Sequence, residues 1–128
     1  MSASVPPPTI VVFEKRPRWT PELQRRLVGE PVHVRGCHSA GDVPGLAAAA
    51  CVVLSLENAE GECLQVLGAL AAGGADVPVI AIGSERSAGL EWPFRELGAV
   101  EFVAEPFIAE DIARICRRHV QQALVRSP

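Results

Sequence analysis

Three polar residues stand at or just after the ends of apolar stretches, and each could take part in chemistry. Ser55 closes the apolar run 51–54, and Glu57 follows two residues later. Glu14 comes directly after a second apolar run, 9–13. A serine in such a position could act as a nucleophile, and carboxylates could hold a divalent cation through their oxygens. The sequence therefore raises two hypotheses, a serine-based reaction and a cation site.

Both hypotheses have a simpler alternative. A serine hydrolase needs a base and an orienting acid, but Ser55 is not in a G-x-S-x-G elbow and His38 follows a different strand. We therefore interpret Ser55 as a small strand end that hydrogen-bonds nearby backbone. We interpret Glu14 and Glu105 as solvated carboxylates, or as partners of Lys15, in preference to a residual metal site.

The positions of these residues depend on a predicted alternation of strands and helices. Apolar, β-branched segments predict strands at 9–13, 32–34, 51–55, 77–82 and 100–104. Helical periodicity predicts helices at 21–28, within 39–50, at 60–72 and over about 108–124. Thr20 and Pro21 are the predicted start of the first helix, and Pro93 predicts a short or broken helix between 84 and 99. Five βα units predict an open parallel sheet with helices on both faces, whose pocket lies at the carboxyl ends of the strands.

Composition limits the class of protein. The chain has 128 residues, of which 48% are hydrophobic and 21% charged, and a formal net charge of −3. These values suit one globular domain and give no indication of a nucleic-acid or membrane partner. We assign the domain to residues 9–125, with a flexible lead at 1–8 and a tail at 126–128. The longest apolar run, 46–54, is too short to span a bilayer, and the N-terminus lacks a signal core, which predicts a cytoplasmic protein.

Familiar cofactor and disulfide patterns are absent from the sequence. There is no G-x-G-x-x-G after the first strand and no G-x-x-x-x-G-K-[ST], so no nucleotide cofactor is expected. The four cysteines include no C-x-x-C pair, and Cys51 lies inside an apolar strand. We therefore expect reduced, packed thiols.

Four segments in this five-unit layout carry a family resemblance. TIVVFEK (9–15), CVVLSLEN (51–58), VPVIAIGS (77–84) and LGAVEFVAEPF (97–107) resemble the receiver domain of bacterial response regulators. The resemblance covers about residues 9–122 and implies a flavodoxin-like (βα)5 three-layer sandwich with a five-stranded parallel sheet in the order 2-1-3-4-5. A working receiver holds Mg²⁺ with two acids after its first strand and accepts phosphate on an aspartate that ends the third. It has a Thr or Ser at the end of the fourth strand and a Lys-Pro pair after the fifth.

When these receiver positions are carried onto this chain, only Glu14 keeps the residue type of the family. The acid pair falls on Phe13 and Glu14, the phosphoacceptor on Ser55, the Thr or Ser on Gly83 and the lysine on Glu105. Phosphoryl transfer needs a nucleophilic anion, a divalent cation and positive charge near the phosphate oxygens, and these changes remove or weaken each requirement. We therefore expect a degenerate receiver that is not an enzyme, holds no metal or cofactor and is not switched by aspartyl phosphate. The expected degenerate pocket consists of Phe13, Glu14, Ser55, Glu57, Gly83, Glu105 and Pro106, with a cis bond before Pro106 implied by the resemblance.

Aromatic residues in the fourth and fifth units form a second candidate site. By resemblance Phe102 occupies the aromatic switch position of receivers, whose partner threonine is here Gly83, so we expect its ring to turn inward and fill the vacant space. The predicted interaction face consists of Trp92, Phe94 and Phe102. Residues 85–111 carry seven acids and two arginines, which favours a basic partner.

These inferences favour a non-enzymatic signalling adaptor in a bacterial two-component-type pathway. It would bind another signalling protein independently of aspartyl phosphorylation, and it could also form a homodimer. One alternative is a residual switch that responds to a cation or a phosphoryl group through Ser55 and the carboxylates Glu14, Glu57 and Glu105. Another is a flavodoxin-like domain that binds a small molecule at the same strand ends.

Overall fold

A computed structural model describes residues 6–126, in which strands and helices alternate along the chain. The strands are β1 Thr9–Phe13, β2 His33–Cys37, β3 Cys51–Ser55, β4 Val79–Gly83 and β5 Glu101–Ala104. The helices are α1 Trp19–Arg26, α2 Val43–Ala47, α3 Glu60–Ala72, α4 Glu91–Glu96 and α5 Ala109–Arg126, and a 3₁₀ segment, Glu85–Leu90, precedes α4. Residues 1–5 of the predicted lead and residues 127–128 of the predicted tail lie outside the described residues.

The five strands form one parallel sheet in the order β2-β1-β3-β4-β5, which confirms the expected flavodoxin-like topology. Phe13 lies opposite Leu54, and Ser55 lies opposite Ile82. The carboxyl ends of neighbouring strands therefore meet at one edge of the sheet. None of the helices within residues 6–126 is long and apolar enough to cross a membrane.

Helices cover both faces of the sheet and create two separate cores. In β1, Val11 and Phe13 face the core formed with α2, α3 and α4, whereas Ile10 and Val12 face the core formed with α1 and α5. Successive side chains of a strand point to opposite faces, so a strand covered on both sides needs apolar residues throughout. This requirement explains the unbroken apolar runs of β1 and β3.

Among the element boundaries that differ from the prediction, two have identifiable reasons. Helix α1 begins at Trp19 and not at Pro21, because the carboxylate of Glu14 accepts hydrogen bonds from the first backbone N–H groups of the helix. Strand β2 runs to Cys37, beyond the predicted 32–34, because its pairing with β1 continues to Phe13. The polar and small residues Arg35 and Gly36 hide this extension, since an edge strand needs less apolar surface.

The region between residues 84 and 99 contains the short helix that Pro93 predicts. Pro93 is the third residue of α4, where the missing N–H breaks no intrahelical hydrogen bond. The preceding turn adopts the tighter 3₁₀ form. The Glu105–Pro106 peptide bond is cis, as the resemblance implies.

The three aromatic residues of the predicted interaction face have different surroundings. Phe94 is fully buried and Phe102 is 9% exposed, with their ring centroids 5.8 Å apart, whereas Trp92 is 72% exposed. Two residues along a helix face nearly opposite ways, so α4 turns Phe94 toward the sheet and Trp92 toward solvent. The predicted three-residue face is therefore corrected to a single exposed aromatic residue, Trp92.

This difference in burial predicts a large difference in stability between two alanine variants. Phe94→Ala should lower the free energy of unfolding by about 3–5 kcal/mol, because it removes a large side chain from a closed core. Trp92→Ala should change it by no more than about 0.5 kcal/mol. Urea unfolding followed by circular dichroism measures both values. Equal losses would contradict the burial described for the two side chains.

Candidate functional site

The carboxyl ends of β3, β4 and β5 border a cleft of about 480 Å³. Ser55, Glu57, Gly83 and Glu105 line this cleft, so the structure brings together four of the seven residues predicted for the pocket. Glu14 lies in a smaller adjoining depression, which Ser55 and Glu57 also line. The sequence therefore locates the cleft correctly from the strand ends.

The other two predicted pocket residues do not line the cleft. Phe13 is fully buried and belongs to the core formed with α2, α3 and α4. Its ring follows the alternation of β1 into that core, so the position that would offer a ligand oxygen in a receiver here supplies packing. Pro106 is exposed and follows the cis bond. The prediction that Phe13 and Pro106 form part of the pocket lining is therefore corrected.

Glu14 caps the start of α1. One carboxylate oxygen, Oε1, accepts a hydrogen bond from the N–H of Trp19 at 3.0 Å. The other, Oε2, accepts hydrogen bonds from the N–H groups of Arg18 at 3.2 Å and Thr20 at 2.9 Å, and from the Thr20 hydroxyl at 2.7 Å. Glu14 is buried, and Lys15 pairs with Glu62. The interpretation of Glu14 as a solvated or Lys15-paired carboxylate is therefore wrong.

The capping role limits what else Glu14 can bind. Oε2 already accepts three hydrogen bonds and Oε1 accepts one, so a free lone-pair position remains only on Oε1. Its negative charge also lies at the positive end of the α1 dipole, which stabilises it there. A cation that approached Oε2, or both oxygens, would have to displace donors that the helix start needs. Within residues 6–126, no group of three or more His, Cys, Asp or Glu side chains is arranged to hold a metal ion.

Ser55 is buried at the floor of the cleft, and its backbone is better anchored than its side chain. Its carbonyl oxygen accepts a hydrogen bond from the Cys63 thiol at 3.3 Å. Its hydroxyl forms no hydrogen bond with another described residue, so the interpretation that it bonds nearby backbone is wrong. Burial, with a smaller effect from the charges of Glu62 and Glu60, raises the pKa of Cys63 to about 12. The thiol beside Ser55 is therefore protonated at neutral pH and cannot serve as its base.

The charged residues of the cleft are partly neutralised within the chain. Arg18 Nη1 lies 3.0 Å from Glu57 Oε2, and its guanidinium lies 4.8 Å from the centre of the Trp19 ring. An exposed pair of this kind contributes at most about 1 kcal/mol to stability, but it removes much of the free charge on Glu57. Glu105 is exposed and forms no ion pair with another described residue. Its negative charge would repel a phosphoryl group at the position where a receiver has its lysine.

Gly83 is required by the close approach of the 3₁₀ segment. A Cβ atom at position 83 would lie 2.7 Å from Ser87 Cβ and 2.8 Å from Ser87 Oγ, which is closer than such atoms can approach. The Ser87 hydroxyl donates to Glu60 Oε2 at 3.3 Å, which fixes the segment against the start of α3. Phe102 is buried as expected. The space beside Gly83, which the Phe102 ring was expected to fill, contains Ser87 instead.

The cleft also contains residues from segments outside the strand ends, which the sequence pattern did not predict. Arg18 and Trp19 reach the cleft from the start of α1, and Arg86 and Ser87 reach it from the 3₁₀ segment. A strand pattern predicts where strands end but not the path of the loops that follow. Glu14 lies five residues before the first residue of α1, outside the usual capping positions, and the prediction placed the cap at Thr20 instead.

The capping role of Glu14 predicts a loss of stability on substitution. Glu14→Gln keeps the size of the side chain but removes the charge and replaces an acceptor oxygen by a donor, so it should lower the free energy of unfolding by about 0.5–2 kcal/mol. The matched control is Glu105→Gln, which should change stability by no more than about 0.5 kcal/mol. Thermal and urea unfolding provide the measurement. Wild-type stability of Glu14→Gln would show that the cap is dispensable.

Comparison with known proteins identifies the fold. No protein-family model matches the chain, and no curated protein matches it in sequence. It superimposes on a response regulator receiver protein from Pseudoalteromonas atlantica with a TM-score of 0.76 and 18% identity, over 91% of this chain and 99% of that one. The receiver domain of the TMAO respiratory system response regulator TorR gives 0.75 and 18% over 91% and 99%. A response regulator receiver protein from Burkholderia phymatum gives 0.69 and 22% over 89% and 95%. The chain therefore has the fold of a response-regulator receiver domain.

Proposed function

We propose that this protein is a cytoplasmic signalling adaptor that uses a receiver fold for protein–protein interaction, independently of aspartyl phosphorylation. The observation that carries the proposal is the capping role of Glu14. The carboxylate expected to help hold a cation already accepts four hydrogen bonds from the start of α1. A receiver fold in which this acid serves as a cap lacks a ready site for the cation that phosphoryl transfer requires.

Three further positions support the absence of phosphoryl chemistry. Ser55 presents a neutral hydroxyl, the Cys63 thiol beside it cannot serve as its base, and Phe13 lies in the core. Glu105 adds negative charge beside the cleft. Each change opposes a different requirement of the reaction, namely a nucleophile, a metal ligand and a stabilising cation. A receiver fold that does not meet these requirements still has a use in signalling, which is to bind another protein.

Trp92 is the best candidate for the centre of that recognition surface. Its ring is 72% exposed on α4, and Glu96 lies one turn further along the same helix. Exposed tryptophans frequently dominate binding energy at protein interfaces. Of the seven acids in residues 85–111, Glu91, Glu101, Glu110 and Asp111 pair with arginines, whereas Glu85, Glu96 and Glu105 form no ion pair with another described residue. These three free carboxylates favour a basic partner.

One observation on the cleft favours each of the two alternative functions, a residual switch and a small-molecule-binding domain. The Ser55 hydroxyl and Glu57 both face it, which a residual phosphoryl- or cation-responsive switch would need. Its volume of about 480 Å³ falls within the range of about 300–1,000 Å³ that is usual for small-molecule sites. Neither alternative accounts for the exposed tryptophan on α4, and for that reason we prefer the adaptor.

A titration with Mg²⁺ and beryllofluoride, which mimics a phosphoryl group, tests independence from phosphorylation. We expect the amide resonances of Ser55 and Gly83 to stay unchanged in nuclear magnetic resonance spectra, because the site lacks a free metal ligand set. Clear shifts at both residues in the wild type would overturn the adaptor proposal. Loss of those shifts in Glu57→Gln would then assign them to the residual switch.

Capture of partners from a bacterial extract tests the role of Trp92. We expect Trp92→Ala to reduce partner recovery at least tenfold, and we expect wild-type recovery to fall with added salt because the partner is basic. Val125→Ala, a similarly exposed apolar position on α5, is the matched control and should keep full recovery. Full recovery of the same partners with Trp92→Ala would show that α4 is not the recognition surface.

A further inference from the structure

An apolar surface lies at the end of the sheet where the strands begin, opposite the cleft. The apolar residues that line its depression are Ile10, Leu27, Pro31, Val32, Val120 and Leu124. The depression has a volume of about 80 Å³, far below the range of about 300–1,000 Å³ that small-molecule sites occupy. It can therefore accept an aliphatic side chain but not a small ligand.

The same surface also carries projecting apolar side chains. Leu124 is 53% exposed at the rim of the depression, and Val28 is 79% exposed. Val28 borders a neighbouring depression that shares Leu27 and Val32 with the first. We call the area formed by Leu27, Val28, Val32 and Leu124 the strand-start surface. A two-fold dimer joins one surface to itself, so that surface must contain both projections and recesses, and the strand-start surface has both.

The charges around the strand-start surface are neutralised within the chain. Arg117 Nε lies 3.1 Å from both carboxylate oxygens of Glu30, and Arg117 Nη1 lies 2.8 Å from Glu110 Oε2. Gln121, also on the rim, is uncharged. Among the described residues that line the depression, the two charged side chains, Glu30 and Arg117, pair with each other, and a second copy would meet an equally neutral apolar surface. Homodimer interfaces have this composition, with an apolar centre depleted in charged residues.

We propose that the strand-start surface binds a second copy of this chain, with Leu124 of each copy entering the depression of the other. The surface involves α1 and α5, which cover the face of the sheet opposite α4. Self-association therefore leaves Trp92 accessible, and it does not depend on the proposed recognition of a basic partner. The free acids Glu85, in the 3₁₀ segment, and Glu96, on α4, make that side less suitable for a second copy, because like charges would meet.

Sedimentation equilibrium over a series of protein concentrations tests this dimer. We expect the weight-average mass of the wild type to rise from 13.6 kDa toward twice that value. Leu124→Lys should remain at the monomer mass throughout, because it places a charge in the apolar centre of the interface. Val28→Asp tests the second projection and should raise the dissociation constant at least tenfold. Circular dichroism should show wild-type folding for both variants, since both side chains are exposed.

Two control variants test whether the dimer forms through the strand-start surface. One excludes a general effect of added charge on α5, and the other excludes dimerisation through α4. Gln122→Lys adds the same charge to the same helix at a position outside the depression, and it should dimerise like the wild type. Trp92→Ala should also dimerise normally. A wild type that stays at 13.6 kDa at the highest concentration would overturn the proposal, as would normal dimerisation of folded Leu124→Lys and Val28→Asp. Loss of the dimer in Trp92→Ala alone would assign self-association to α4 instead.

Discussion

The carboxylate of Glu14 joins the end of the central strand β1 to the start of α1, and much of the structure depends on this contact. By accepting three backbone N–H groups it sets where α1 begins. That start places Trp19 in the core beneath the helix, where its ring lies 5.4 Å from Phe107 in the segment between β5 and α5. A single buried carboxylate therefore helps to fix the position of the first βα unit against the last. Its burial is tolerated because both carboxylate oxygens accept hydrogen bonds.

The two edges of the sheet use charge in opposite ways. At the carboxyl edge, carboxylates and guanidiniums surround an open cleft, and Glu105 keeps a free negative charge there. At the edge where the strands begin, Arg117 gathers Glu30 and Glu110 into one network between α1 and α5 and leaves apolar residues at the surface. The Arg117 network holds the pKa of the Glu110 carboxyl below its ordinary value, chiefly through the hydrogen bond from Arg117. One edge thus remains polar and accessible, whereas the other is electrically neutral.

The parallel fold was predictable because buried strands require apolar residues on both faces, and β1 and β3 show this requirement without interruption. The location of the cleft followed from the strand ends. The roles of individual residues there were less predictable, since they depend on side-chain direction and loop path. The position of Phe13 at the end of a strand predicted a pocket residue, but its ring faces the core. Phe94 and Trp92 were predicted to share one face, but Phe94 is buried and Trp92 is exposed. Ser87 carried no sequence signal for its contact with Gly83.

The contact between Gly83 and Ser87 also makes the residue types at these two positions depend on each other. A side chain introduced at position 83 would collide with Ser87 in the observed position of the 3₁₀ segment. That segment would have to move away, and the hydrogen bond from Ser87 to Glu60 would be lost with it. A substitution at position 83 would therefore have a different effect on stability when Ser87 is also replaced by a smaller residue. The end of β4 and the 3₁₀ segment thus behave as one packing unit, in which the effects of two substitutions do not add.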